Sequence, residues 1–227
     1  MKILFCAYRE WAKDVFFGLC LAGHVGEHDL VLTTTPSEME ALSREQEWDA
    51  IIMVGWSWKI PADIVNSRLV VAMHPSDLPN YAGGSPIQNQ ILDGVTKTNA
   101  TLFKANEKFD EGEIIDKEPI SLEGHLDEVL QSISEASKAL VFRFILNFPN
   151  NTYTKQEGEG IKVKRLKPEQ SHLPNPGGIA SPFDEWKMTC KEMWDAIRCR
   201  EDPYPNAYFE DETGRLTIKR VEFEPKS

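Results

Sequence analysis

The stretch from Val70 to Gly94, V-V-A-M-H-P-S-D-L-P-N-Y-A-G-G-S-P-I-Q-N-Q-I-L-D-G, decides how the chain is read. A short apolar strand, Leu69 to Met73, delivers His74 at its carboxyl end. Pro75, Pro79, Gly83 and Gly84 then impose an irregular loop that regular structure cannot occupy. The loop leads into a helix with its own start and stop signals. Ser85 reads as the N-cap, Pro86 as the first helical residue, and Gln88 as the partner in a capping box. Ile87, Ile91 and Leu92 share one face, and Gly94 ends it. A strand, a fixed loop and a capped helix is how open α/β sheets present polar groups at the crevice above their strand ends.

Working outward, the segments before this stretch alternate in the rhythm of a parallel sheet. Lys2 to Tyr8 is an apolar strand, and Trp11, Val15, Phe16 and Leu19 recur at helical spacing between Arg9 and Ala22, with Gly23 as the stop. A strand at Asp29 to Thr34, a helix from Pro36 to about Glu47 and a strand at Asp49 to Gly55 follow. This predicts an α/β fold with a mostly parallel, Rossmann-like sheet. No G-x-G-x-x-G follows the first strand, which disfavours a dinucleotide.

After the stretch, Lys97 to Ala105 and Glu113 to Leu122 read as strands. A long amphipathic helix follows Gly124, with Leu126, Val129, Leu130, Ile133, Leu140, Val141 and Phe144 as its apolar stripe and an end near Pro149. The polar, Gly-bearing segment Asn150 to Gly160 reads as a linker. It divides a main domain, residues 1–150, from a small extension, residues 151–227. The extension opens with an extended segment bearing Pro168, Pro174, Pro176 and Pro182. A helix from about Thr189 to Arg200 comes next, and Tyr208 to Phe223 reads as a β-hairpin about the turn at Glu212 to Gly214. The exposed edge of that hairpin suits a homodimer.

Bulk properties narrow the partners. With 227 residues, 41% hydrophobic and 27% charged, the chain has the length and composition of a globular protein. Its net charge of −11 repels a phosphate backbone. The densest basic cluster, Lys162, Lys164, Arg165 and Lys167, is short for a nucleic-acid footprint, so no nucleic-acid partner is expected. No apolar run approaches a membrane span and the N-terminus reads as a strand, so a soluble, cytoplasmic protein with no membrane partner is expected. Cys6, Cys20, Cys190 and Cys199 have neither metal-ligand nor disulfide-framework spacing, and no metal is expected. Asn99 and Asn150 begin sequon matches that an intracellular location makes incidental.

Three features carry candidate chemistry. Asp110, in the F-D-E-G turn at Phe109 to Gly112, is a carboxylate that can meet the His74 imidazole as proton transfer requires. A histidine after a strand is more often structural, and an aspartate in a D-x-G turn more often a turn former. Gly55 to Pro61, G-W-S-W-K-I-P, either covers the sheet edge with its tryptophans or forms a flat apolar slot. Arg9, at the end of the first strand, either meets an anionic substrate or is a solvated helix start.

H-P-S-x-L-P-x-Y-x-G-x-x-P-I-Q, beginning at His74, followed by F-D-E-G-E-I-I, resembles the signature of the 10-formyltetrahydrofolate-dependent formyltransferases. This family includes methionyl-tRNA, glycinamide ribonucleotide and sugar N-formyltransferases. The segments Arg165 to Pro168 and P-Y-P-N-A, ending at Ala207, resemble the region that follows the catalytic domain in the tRNA and sugar enzymes. The resemblance implies His74 and Asp110 as the catalytic pair. It implies Trp56, Ser57, Trp58, Lys59, Ile60, Phe109 and Glu111 around the N10-formyltetrahydrofolate donor. It places Arg9, Pro75, Ser76, Asn80, Tyr81, Gly83 and Gly84 toward the substrate. Two positions depart from the pattern: the family's catalytic Asn is Ala72 here, and the Arg before the loop glycine is Ala82.

Together with the acidity and the short extension, where the tRNA enzyme carries a larger barrel, this implies a specific activity. It is formyl transfer to the amine of a nucleotide-linked amino-deoxy sugar of a lipopolysaccharide or surface glycan. The alternatives are another small amine acceptor, a formyltetrahydrofolate hydrolase, and a non-catalytic binding form created by Ala72. A side chain such as Asn80, Ser85 or Gln88 would otherwise supply the missing hydrogen bond.

Overall fold

The computed structural model describes residues 1–21, 28–173 and 188–226, so the expected stop at Gly23 and the prolines at 174, 176 and 182 lie outside the described residues. The elements of the main sheet follow the expected alternation. They are β1 (Lys2–Cys6), α1 (Glu10–Leu21), β2 (Asp29–Thr33), α2 (Pro36–Glu45), β3 (Ala50–Met53), α3 (Ala62–Ser67) and β4 (Val70–His74). After β4 come a two-residue strand β5 (Ala82–Gly83), α4 (Pro86–Leu92), β6 (Lys97–Lys104), β7 (Ile114–Ser121) and α5 (Leu126–Asn147). The sheet order is β2-β1-β3-β4-β6-β7, with the first four strands parallel and β6 and β7 antiparallel.

The central strands are apolar on both faces because both faces are covered. Ile3 and Phe5 of β1 and Ala50 and Ile52 of β3 pack into one core, which α1 and α5 close. Their neighbours Leu4, Cys6, Ile51 and Met53 pack into a second core beneath α2 and α3. Burial pushes the Cys6 thiol far above its usual range, so it stays an inert core thiol. All seven stripe residues of α5 are buried.

The C-terminal part holds β8 (Lys162–Val163), a 3-10 turn (Pro168–Ser171), α6 (Cys190–Arg198) and the hairpin β9 (Ala207–Asp211) and β10 (Gly214–Ile218). A small core of Leu173, Ala196, Ile197 and Ala207 binds it together. Buried polar contacts anchor it to the main sheet. Arg198 Nη1 donates to the Leu122 and Gly124 carbonyls, and Glu201 accepts from the Leu126 N–H and meets His125 Nδ1 at 2.7 Å.

Two local expectations are corrected. Ser85 has a left-handed backbone (φ 52°), and its side chain does not cap α4; its Oγ accepts instead from the Leu166 N–H. The segment from Asn150 to Gly160 is not a free linker. Thr154 exchanges both backbone hydrogen bonds with Ile114, and Gln156 Nε2 donates to the Asp110 and Gly112 carbonyls. The helix α3 and the strands β5 and β8 are too short to leave a periodic signal and were not expected.

Candidate active site

His74 closes β4 and is 6% exposed. Its Nε2 lies 2.9 Å from the Tyr81 carbonyl oxygen. A carbonyl only accepts, so this bond places a proton on Nε2 and leaves Nδ1 facing Asp110 Oδ1 at 3.5 Å. Asp110 is held in turn: its Oδ2 accepts the Gly83 N–H at 2.8 Å and its carbonyl accepts from Gln156. The short bond that orients the imidazole therefore comes from the loop backbone, with the carboxylate beside the free nitrogen.

Tyr81, Ser85 and Asp110 are the three non-glycine residues with positive φ among the described residues, at 56°, 52° and 55°. Each left-handed residue costs about 1–2 kcal/mol, so all three persist because their surroundings hold them. The restraint is visible in the glycines. A Cβ on Gly83 would stand 2.2 Å from the Val163 carbonyl oxygen, and one on Gly84 would stand 2.4 Å from the Arg165 nitrogen. Residues 160–166 thus run directly against the loop. β5 pairs with β8, and the Ala82 and Gly84 N–H groups donate to the Ile161 and Val163 carbonyls.

The loop, the ends of β1, β3 and β4, and the C-terminal segment enclose a cleft of about 500 Å³. His74, Asp110 and Ala72 line it together with Pro75, Gly83 and Gly84. Trp56, Ser57, Trp58, Lys59, Ile60 and Phe109 line it too, as does Arg9. Trp56, Trp58 and Tyr204 line it, and Tyr8 packs behind them. Trp56 meets Trp58 at 4.8 Å, Trp58 meets Tyr8 at 4.3 Å, and the Arg9 guanidinium stands 5.0 Å from both the Tyr8 and Tyr204 rings. The Tyr8 hydroxyl donates to Ser57 Oγ at 2.8 Å.

Four expected residues do not line this cleft. Ser76 is buried, with its Oγ donating to the Asn80 carbonyl, and Asn80 is exposed. Tyr81 contributes its carbonyl to His74 while its hydroxyl donates to Asp93. Glu111 lines a separate cavity of about 550 Å³ with Lys162, whose ammonium holds the Glu111 carboxyl below its usual range. Asp110 borders both cavities.

The cleft also gathers Gln88, one of the side chains named for the missing hydrogen bond, and residues that the sequence reading assigned elsewhere or passed over: Trp11, Asn106, Arg165 and Tyr204. Arg165 and Tyr204 lie inside the two C-terminal segments noted for their resemblance. Trp11 had the signature of a core position, and only the fold turns it toward the cleft. The side-chain nitrogens of Trp11, Trp56 and Gln88 are buried without a hydrogen-bond partner among the described residues. Such orphaned donors are costly, and three on residues lining one cleft fit a ligand rich in acceptors. Beside the Trp56 and Trp58 rings, which meet edge to face at 66°, they fit a heteroaromatic ring such as a pterin.

Fold and site together define a Rossmann-like α/β chain with a His–Asp pair at the strand ends, in an aromatic-walled cleft. Residues 31–145, just over half of the chain, match the family described as Formyl transferase, and the chain belongs to that family. Methionyl-tRNA formyltransferase of Rickettsia prowazekii (strain Madrid E) is 27% identical over 188 residues, covering 80% of this chain and 58% of the relative. The Lysinibacillus sphaericus enzyme of the same name is 25% identical over 177 residues, covering 75% and 53%. The chain therefore spans little more than half the length of these curated relatives.

Among solved structures, methionyl-tRNA formyltransferase from Clostridium thermocellum superposes with a TM-score of 0.86 at 25% identity, covering 99% of this chain and 94% of that one. A 4-N formyltransferase from Francisella tularensis shares the fold at TM-score 0.74 and 20% identity, covering 99% and 98%. HypX from Aquifex aeolicus in complex with tetrahydrofolic acid shares it at TM-score 0.72 and 19% identity, covering 92% and 36%.

Proposed function

We propose that this chain is an N-formyltransferase that moves the formyl group of N10-formyltetrahydrofolate to the amine of a nucleotide-linked amino sugar. The observation that carries the reading is His74 fixed through Nε2 to Tyr81, with Nδ1 and Asp110 lining a cleft that Trp56 and Trp58 also line. Trp56, Trp58 and Ile60 would hold the donor's pterin, which presents the formyl carbon to the acceptor amine.

The new bond joins the amine nitrogen to the formyl carbon; the bond to N10 breaks, and the proton lost by the amine is delivered to N10. In this scheme His74 and Asp110 accept the amine proton at Nδ1 and Oδ1 and return it to the departing nitrogen. Negative charge gathers on the formyl oxygen as the carbon becomes tetrahedral. Gln88 Nε2, buried beside the Tyr204 hydroxyl, is the donor assigned to that oxygen in place of the amide lost at Ala72. The net charge of −11 supports a small acceptor over a polynucleotide.

The test is incubation of the purified chain with the donor and a panel of nucleotide-linked amino sugars, with products weighed by mass spectrometry. A product heavier by one formyl group supports the reading. Formylation of methionyl-tRNA alone would replace the acceptor, and donor decay without any acceptor would make the protein a hydrolase.

A further inference from the structure

The chain has nine arginines, and their partners separate them into two groups. Arg44, Arg68, Arg143, Arg198, Arg215 and Arg220 each bond a carboxylate, and Arg200 donates to the Ala196 and Gln170 carbonyls. Arg9 and Arg165 have neither kind of partner among the described residues, and both line the catalytic cleft. In a protein with 36 acidic residues, two guanidiniums in one place with no carboxylate partner among the described residues are a departure from its own pattern.

Both also gather at one side chain. The Arg9 guanidinium is held between the Tyr8 and Tyr204 rings, 5.0 Å from each centroid, and the charges of Arg9 and Arg165 both act on the Tyr204 hydroxyl. An arginine packed between aromatic faces is fixed in place but keeps its N–H groups free for a planar or tetrahedral anion. Tyr204 is half-buried, and desolvation raises the pKa of its hydroxyl, so it stays protonated and able to donate. The hydroxyl abuts the Gln88 side chain, which connects this corner to the reaction centre.

We infer that Arg9, Arg165 and Tyr204 form an anion subsite that takes a phosphate ester or phosphoanhydride of the amine acceptor. The inference rests on the proposed formyl transfer for its acceptor but not for its anion. Arg9 comes from the end of β1, Arg165 follows β8, and Tyr204 follows α6. The subsite therefore exists only when the C-terminal segment is docked, and it makes that segment part of acceptor recognition. A second anion source is the glutamate tail of the folate donor, which carries carboxylates.

Calorimetric titration of the full chain with inorganic pyrophosphate distinguishes these sources when run beside a stable, non-transferring tetrahydrofolate analogue bearing its glutamate. The expected result is measurable pyrophosphate binding that weakens about tenfold or more in Arg9→Gln and in Arg165→Gln, while analogue affinity is unchanged; each lost charge-assisted contact is worth roughly 1.5–3 kcal/mol. Arg9→Lys, which keeps the charge and loses the planar fork, should retain part of the affinity.

Unchanged pyrophosphate binding in both glutamine variants overturns the subsite. Weakened analogue binding overturns it too, and reassigns the arginines to the donor. If pyrophosphate binding depends on Arg9 and Arg165 yet no phosphate-bearing amino sugar is formylated, the subsite stands and the sugar reading falls. If such a sugar is formylated with the same KM by parent and variants, the sugar reading stands and the subsite falls.

Discussion

The carbonyl oxygen of Tyr81 accepts the His74 Nε2 proton at 2.9 Å, so the orientation of the imidazole is chosen by a backbone atom of a strained loop residue. Asp110 then stands 3.5 Å from Nδ1 without being the group that aims the ring. The division of labour between carbonyl and carboxylate changes what substitutions should do.

Asp110→Asn should fold, because asparagine tolerates the left-handed backbone at φ 55° and its oxygen can still accept the Gly83 N–H. Its amide then points N–H groups toward Nδ1 and offers no carboxylate for the amine proton. Turnover should fall by about 10²–10⁴, with the melting temperature nearly unchanged. Activity near that of the parent would remove the carboxylate from the chemistry.

Gln88 and Ala72 form a second pair of tests. If Gln88 Nε2 serves the developing oxyanion, Gln88→Ala should lower single-turnover formyl transfer by roughly 10²–10³ with donor affinity little changed. In the same case Ala72→Asn should not raise the rate, since a donor is already supplied and the larger amide crowds Met53 and Phe103, its register neighbours. A large gain in Ala72→Asn would show that the oxyanion lacks a donor in the parent.

Two glycines with positive φ, one in the loop and one outside it, should be unequal. Gly83→Ala combines φ 113° with a Cβ 2.2 Å from the Val163 carbonyl oxygen, so β8 must separate from β5. Gly158→Ala has φ 81° and nothing within 4 Å, leaving only a backbone penalty of about 1–2 kcal/mol. Thermal unfolding and activity should show Gly83→Ala losing both while Gly158→Ala keeps its turnover. Equal effects would mean that the pairing of β5 with β8 does not support the site.

The loop is also pinned by Asp77, whose Oδ1 accepts from Lys117 Nζ at 2.5 Å and from Asn99 Nδ2 at 3.1 Å. Burial opposes ionisation, but Lys117 and Asn99 outweigh it and hold the carboxyl below its usual value. A depressed folded-state pKa contributes stability above the unfolded value of about 3.9 and loses it as pH falls through the folded value. The parent's advantage over Asp77→Asn should therefore be present at neutral pH, about 0.5–1 kcal/mol for so open a pair, and vanish in strong acid. Melting curves that differ equally at both extremes would contradict this.

Acidity sets the remaining prediction. At physiological salt, binding of initiator tRNA should be no tighter than about 10⁻⁴ M, the weak end of non-specific association. Sub-micromolar, initiator-specific binding in a gel shift would turn the acceptor reading toward tRNA.

The parallel half of the sheet was legible because β1 and β3 are apolar on both faces, a pattern that follows from burial between two layers of helices. His74 and Asp110 were legible because a spaced motif marks them. The Ser85 cap was misread because local spacing suggests a helix start, whereas the packing of Leu166 draws the hydroxyl away and the loop forces a left-handed backbone. Asn80 and Ser76 sit in the motif yet serve the loop's own hydrogen bonds. Arg165 and Tyr204 reach the cleft, and Gln156 reaches the Asp110 carbonyl behind it, through contacts between segments far apart in the chain, which no local period records.

The pairing of β5 with β8 also determines when the site can arise during synthesis. Every strand of the six-stranded sheet lies within the first 121 residues, yet the Ala82 and Gly84 amides find their acceptors at Ile161 and Val163. A nascent chain that has cleared the ribosome only through α5 can build the sheet that carries His74, while those two amides are still served by water. The loop that follows His74 takes its final shape when residues 160–166 emerge and lie down against it.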